Sequence, residues 1–151
     1  MTFEIMVKYI IRTDGGARGN PGPAALGAVI ENEQESVLKE IAEYIGEKTN
    51  NEAEYRAPIA ALKKLKSLIG KAEAKKAEVQ VLADSELMVK QMNGQYKIEN
   101  ENMQKFFLEL WNLRLDFANV TFQSVPRSQN KAADRLVNQA LDAASKPRKL
   151  F

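Results

Sequence analysis

The chain has 151 residues, 44% of them hydrophobic and 28% charged, with 22 basic against 20 acidic side chains and a net charge of +2. That length predicts one domain over 1–151 with a sizeable core. The absence of cysteine and histidine excludes disulfides, thiolate or imidazole metal sites, Cys nucleophiles and Ser-His-Asp chemistry. Catalysis here has to come from carboxylates, Lys, Ser/Thr, Tyr or bound metal. No apolar run approaches the ~18 residues of a membrane span, and the N-terminus lacks the apolar core of a secretory signal, so the reading is a soluble cytoplasmic protein.

Residues 5–13 (IMVKYIIRT) are β-branched and aromatic and predict a strand that runs into a loop at Asp14. The following GGARGNPGP has four glycines and two prolines and predicts irregular backbone. Strands are expected over 24–31 (AALGAVIE) and 37–45 (VLKEIAEYI), joined by the polar NEQES. Three strands on short connections favour an antiparallel meander. Ala57, Ala61, Leu65 and Leu68 then recur at helical spacing over 51–69, with Thr49 or Asn50 as cap and Gly70 as stop. Pro58 inside that helix predicts a kink. A strand over 78–83 follows, then a short helix over 85–92. A longer helix near 100–115 carries the stripe Met103, Phe106, Leu110 and Leu113. Residues 119–125 alternate as a strand closed by Pro126, a last helix covers 130–144, and the tail from 146 to 151 is expected to fray. The order βββαβααβα implies an α/β fold: a five-stranded mixed sheet, its parallel pairs made by right-handed crossovers, with helices on both faces.

Four acids occupy unusual places. Asp14 and Asp84 each follow a strand of apolar residues, while Glu54 and Asp134 sit in first helical turns on core-facing stripes. Each has an ordinary explanation: a turn former after a strand, or an acid favoured by a helix dipole. Taken together they suggest a site, because sites in open α/β sheets gather beyond the carboxyl ends of strands. Two such charges ~4 Å apart repel by about 4 kcal/mol at an effective dielectric of 20. A cation must offset this, and all-oxygen ligation suits Mg²⁺ or Mn²⁺. Two hard cations bridged by carboxylates are a known device for phosphodiester displacement.

The segments DGGARGNPG (14–22), TNNEAEY (49–55), LADS (82–85) and VPRSQNKAAD (125–134) resemble, in order, the four signature blocks of type 1 ribonuclease H. QMNGQY (91–96) is similar to the bacterial and archaeal branch that lacks a long basic protrusion. The resemblance implies endonucleolytic cleavage of the RNA strand of an RNA–DNA hybrid by a monomer, without a covalent intermediate and with 5′-phosphate and 3′-hydroxyl products. It also implies two Mg²⁺ ions, with Mn²⁺ as substitute. Asp14 would bridge both ions, Asp134 would help hold the one beside the attacking water, and Glu54 and Asp84 the one near the leaving oxygen. Gly15, Ala17 and Glu54 match positions that contact ribose hydroxyls. Asn20, Asn50 and Asn51 match amides that contact substrate in the minor groove, and Thr49 matches a position lining a DNA-phosphate pocket. Turn chemistry for Asn20, and capping for Thr49 and Asn50, are equally open.

The departures are specific. No histidine precedes Asp134; Arg127 stands near its place and reads as a phosphate contact. Glu86 replaces a substrate-touching glutamine of many relatives. Lys90, Lys97 and Lys105 are left as a small basic surface, with Tyr96 as a stacking residue and Trp111 read as core. Competing readings are a DNA nuclease of the same fold and a non-catalytic hybrid-binding module. The glycine-rich segment lacks the GK[ST] ending of a nucleotide loop.

Overall fold

A computed structural model describes residues 6–146. The first three strands, β1 (Val7–Ala17), β2 (Gly22–Asn32) and β3 (Val37–Lys48), form the expected antiparallel meander. β1 does not end at Asp14. It stays paired with β2 through Gly15↔Leu26, Gly16↔Ala25 and Ala17↔Ala24, so only residues 18–21 are irregular. Three of the four glycines taken as loop markers, Gly15, Gly16 and Gly22, are strand residues, and Gly15 is small because a helix packs directly on it. β3 runs three residues past its expected end. Register shifts at Ala24/Ala25 and Ile30/Glu31 give it an extra residue at each place, which breaks its alternation in the sequence.

The connection to the parallel part begins with α1 (Asn50–Ile69). Thr49 caps it, its Oγ1 accepting from the Glu52 N–H at 3.2 Å, and Gly70 closes it at φ 86° with its N–H donating to the Lys66 carbonyl. The helix runs on through the buried Pro58, whose missing N–H leaves the Glu54 carbonyl without its helical donor. The core stripe stops at Leu65, since Leu68 is exposed. A one-turn helix absent from the sequence reading, α2 (Lys71–Ala74), leads into β4 (Ala77–Ala83). Ser85 caps α3 (Glu86–Met92), and Asn100 caps α4 (Glu101–Leu113), which tightens into a 3-10 turn over Arg114–Asp116. β5 (Asn119–Ser124) and α5 (Lys131–Ser145) complete the order. The tail expected to fray lies outside the described residues beyond Lys146.

The sheet order is β3-β2-β1-β4-β5, with β1/β4 and β4/β5 parallel. The main core packs Ile11, Ile30, Val79 and Val81 of the sheet against Tyr55, Leu62 and Leu65 of α1, with Met88 and Leu110 from α3 and α4. A second cluster sets Ala25 against Val137, Ala140 and Leu141 of α5. Helices therefore cover both faces. Trp111, expected in the core, is 38% exposed; it stacks on Phe107, and the Arg114 guanidinium lies 3.5 Å from its ring centre. Its neighbours Leu108 and Leu115 are exposed as well, so local apolarity misreported its burial. Among the described residues, no helix is long and apolar enough to cross a membrane.

Candidate active site

The parallel register pairs Thr13 with Ala83, the last pair of that ladder. The next residue on each strand is an acid, so Asp14, still paired with β2, and Asp84, just past the end of β4, lie side by side where β1 and β4 part. Glu54, expected in a first turn, arrives on the second turn of α1, because the helix starts at Asn50 and Glu52 is its first-turn acid; Asp134 does sit on the first turn of α5. All four line one cleft of about 810 Å³, together with Gly15, Ala17, Asn50, Glu86 and Arg127. Four carboxylates separated by up to 120 positions thus share one hollow.

The electrostatics are unfavourable by design of the fold. Asp14 is 8% exposed. Burial, then the charges of Asp84 and Asp134 and a hydrogen bond with Asp134, raise its carboxyl to about 8, against a smaller opposing bond from the Gly15 N–H. Burial also raises Glu54, a hydrogen bond from the Ser85 hydroxyl lowers it, and Asp84 raises it further. Among the described residues no three acidic side chains converge tightly enough to hold an ion by themselves. Mg²⁺ would take one or two carboxylates here and complete its octahedron with water and phosphate oxygens. An all-oxygen donor set carrying an acid held near neutrality fits a hard divalent cation.

The remaining candidates divide. Asn50 accepts from the Ala17 N–H through Oδ1 at 2.7 Å, and its own N–H donates to Asn20 Oδ1 at 3.1 Å. Both amides therefore brace the strand-loop corner, each keeping its Nδ2 without an intramolecular partner among the described residues. Thr49 acts as the cap while its hydroxyl proton stays available. Asn51 does not line the main cleft. It faces a smaller one of about 230 Å³, shared with Glu54, Lys97 and Asn100. Arg127 is 82% exposed and reaches Asp84 only at 3.9 Å. Lys90 lies against Tyr96, with its ammonium 5.0 Å from the ring centre, and Lys105 is exposed on α4.

Two residues escaped the sequence reading. Ser85, next to Asp84, caps α3 through a bond from the Met88 N–H at 3.3 Å, and its hydroxyl pulls the Glu54 carboxyl down. Asn130 is 1% exposed and donates through Nδ2 to the Thr13 carbonyl at 2.8 Å. Ser85 carried a signal as a capping residue before a helix; Asn130 carried none, because its partner lies 117 positions away.

Residues 12–140 match the family model described as "Reverse transcriptase-like". The bifunctional protein Rv2228c of Mycobacterium tuberculosis is 44% identical over 140 residues, 92% of this chain, which spans 37% of that protein's length. The solved N-terminal RNase H domain of Rv2228c is 42% identical, with 90% of this chain and 100% of that one covered and a TM-score of 0.82. LC11-RNase H1 in complex with an RNA/DNA hybrid is 45% identical, with 91% and 99% covered and a TM-score of 0.87. Ribonuclease HI of Halobacterium salinarum is 36% identical over 87% of this chain and 63% of its own length. By sequence, by sheet order and by the matched span, this chain belongs to the type 1 ribonuclease H family.

Proposed function

We propose that the chain is an endoribonuclease that hydrolyses the RNA strand of RNA–DNA hybrids, leaving 5′-phosphate and 3′-hydroxyl ends. The observation that carries this reading is the convergence of Asp14, Glu54, Asp84 and Asp134, from four separate places in the chain, on one cleft where burial and the neighbouring acids push the Asp14 carboxyl up to about 8. Such crowding opposes folding and makes sense where cations and a phosphodiester are the ligands. The hybrid as substrate is supported by the LC11-RNase H1 complex, at 45% identity.

Two Mg²⁺ ions, or Mn²⁺ in their place, would be held by these four acids; when bound, they supply an acidified water and neutralise phosphate charge. The chain's own residues do the rest. The Ser85 hydroxyl favours the charged form of Glu54, and Asn50 with Asn20 fixes the Gly15–Ala17 backbone at the rim of the cleft. A ribose 2′-hydroxyl both donates and accepts, so a carboxylate such as Glu54 beside backbone groups at Gly15 and Ala17 can distinguish RNA from DNA. Asn20, Asn50 and Asn51 offer amide donors to the minor groove, Thr49 a hydroxyl and Arg127 a guanidinium to backbone phosphate. Hydrolysis adds water directly across the P–O3′ bond, without a covalent intermediate. One chain supplies all four acids, so a monomer suffices.

The test is a cleavage assay on matched hybrid, double-stranded RNA and double-stranded DNA, each with Mg²⁺, Mn²⁺ or chelator. Cutting confined to the RNA strand of the hybrid, and only with metal, is expected. Cutting of duplex DNA at a similar rate, or of hybrid in chelator, would overturn the reading.

A further inference from the structure

Asn130 sits at the N-cap position of α5 but does not cap: no helix N–H is bonded to its side chain. A capping amide ordinarily bonds the second or third N–H of its own helix. Here the side chain crosses to the sheet instead, with Nδ2 donating to the Thr13 carbonyl at 2.8 Å. Thr13 is the last residue of β1 paired with β4, and its hydroxyl donates to the Leu82 carbonyl at 3.3 Å. Beyond this point the ladder opens to make the cleft. Asn130 thus supplies a donor to a buried strand carbonyl where the two strands separate. Its own carbonyl accepts the Asp134 N–H at 3.1 Å. A short path of bonds therefore runs from Asp134 through Asn130 and Thr13 to Leu82, passing one residue from Asp14 and two from Asp84. Meanwhile Asn130 Oδ1 is buried without a partner. An orphaned buried acceptor detracts from stability and calls for an explanation other than packing.

We infer that Asn130 is a positioning residue: it fixes the start of α5 against the open end of the β1–β4 ladder and so sets the spacing of Asp134 from Asp14 and Asp84. This rests on the proposed function, in which those acids share cations. It adds a residue that touches neither substrate nor ion and acts only through the acids' placement.

The test uses the full chain carrying Asn130→Asp, which keeps the shape but removes the donor, and Asn130→Ala, which removes the side chain. Thermal melts, Mg²⁺ titration by calorimetry without substrate, and kcat and KM on hybrid are measured for both variants and the parent. Expected are folded variants with kcat lowered on the order of 10- to 100-fold, KM within about twofold, and Mg²⁺ affinity weakened on the order of tenfold. Folded variants with parental kcat and Mg²⁺ affinity would overturn the inference. So would variants that have lost their fold at assay temperature, since Asn130 would then be holding the protein together rather than spacing its acids. A parent that fails to cut hybrid would refute the proposed function alone, because calorimetry reads the acid spacing without substrate.

Discussion

Replacing Asp14 with Asn removes the most crowded charge of the site while keeping its shape. In the folded chain the Asp14 carboxyl titrates at about 8, against an ordinary 3.8. A folded-state value raised in this way means that the group favours folding below its unfolded value and opposes it increasingly as pH climbs to the folded one. At pH 7 the gap of roughly three pH units sets a ceiling of about 4 kcal/mol on the penalty. The bond from the Gly15 N–H is already contained in that value, and Asn keeps an acceptor for it. The gain is therefore at most about 4 kcal/mol, which for a chain of this size raises Tm by no more than about 8–16 °C. The assay is thermal unfolding of both proteins in chelator from pH 4 to pH 8. The parent should lose stability across this window, the variant should lose less, and the gap should be widest at pH 8 and nearly closed at pH 4. Added Mg²⁺ should stabilise the parent more than the variant, and hybrid cutting by the variant should fall on the order of a thousandfold or more. Equal melting temperatures at pH 8 in chelator, or a variant less stable than its parent there, would refute the crowded-acid account.

Gly15→Ala should destabilise by about 3 kcal/mol or more in denaturant titrations, because a Cβ there would fall 2.2 Å from the Ala53 carbonyl carbon, a backbone atom that cannot swing aside. Thr49→Ala should cost about 1 kcal/mol of stability through the lost cap, with Thr49→Ser restoring it. If Thr49 also binds phosphate, its Ala variant raises KM for hybrid at temperatures where it stays folded, and unchanged KM would confine it to capping. Arg127→Ala should weaken hybrid binding evenly across sequences and flatten the slope of log affinity against log salt by about 0.9 if it meets one phosphate. An unaltered slope would leave Arg127 as a solvated loop cation.

What the sequence revealed and what it hid follow from the range of the interactions. β-branched runs, the stripe Met103–Phe106–Leu110–Leu113 and the caps at Thr49 and Gly70 are local signals, and they placed the five strands and four of the five α-helices in order, missing only the one-turn α2. The four acids were visible because each departs from what its own neighbourhood would ordinarily carry. Misjudged features depend on distant partners. The Gly15–Ala17 strand end is held by β2, the full length of β3 by register shifts against β2, and the exposure of Trp111 by what fails to cover it. Asn130 read as an ordinary residue before a helix, since its partner lies in β1.

The same distant contacts explain how a sheet can deliver four acids to one place. A Cβ at Gly15 would meet Ala53, the residue before Glu54; a Cβ at Gly27 would fall 2.4 Å from the carbonyl oxygen of Ala133, the residue before Asp134. Gly27 is paired with Asp14 itself. At this level of the sheet, then, a glycine on each face lets a helix start approach to backbone contact, and Ala53 and Ala133, both fully buried, complete the two close passages. Each approach brings an acid on the next residue and, with it, the partial positive charge of a helix N-terminus, which tempers the repulsion that the acids create. The glycines thus set how near α1 comes to β1 and α5 to β2, and Asn130 fixes the start of α5 within that limit. Side-chain chemistry in this cleft depends on places where side chains are missing.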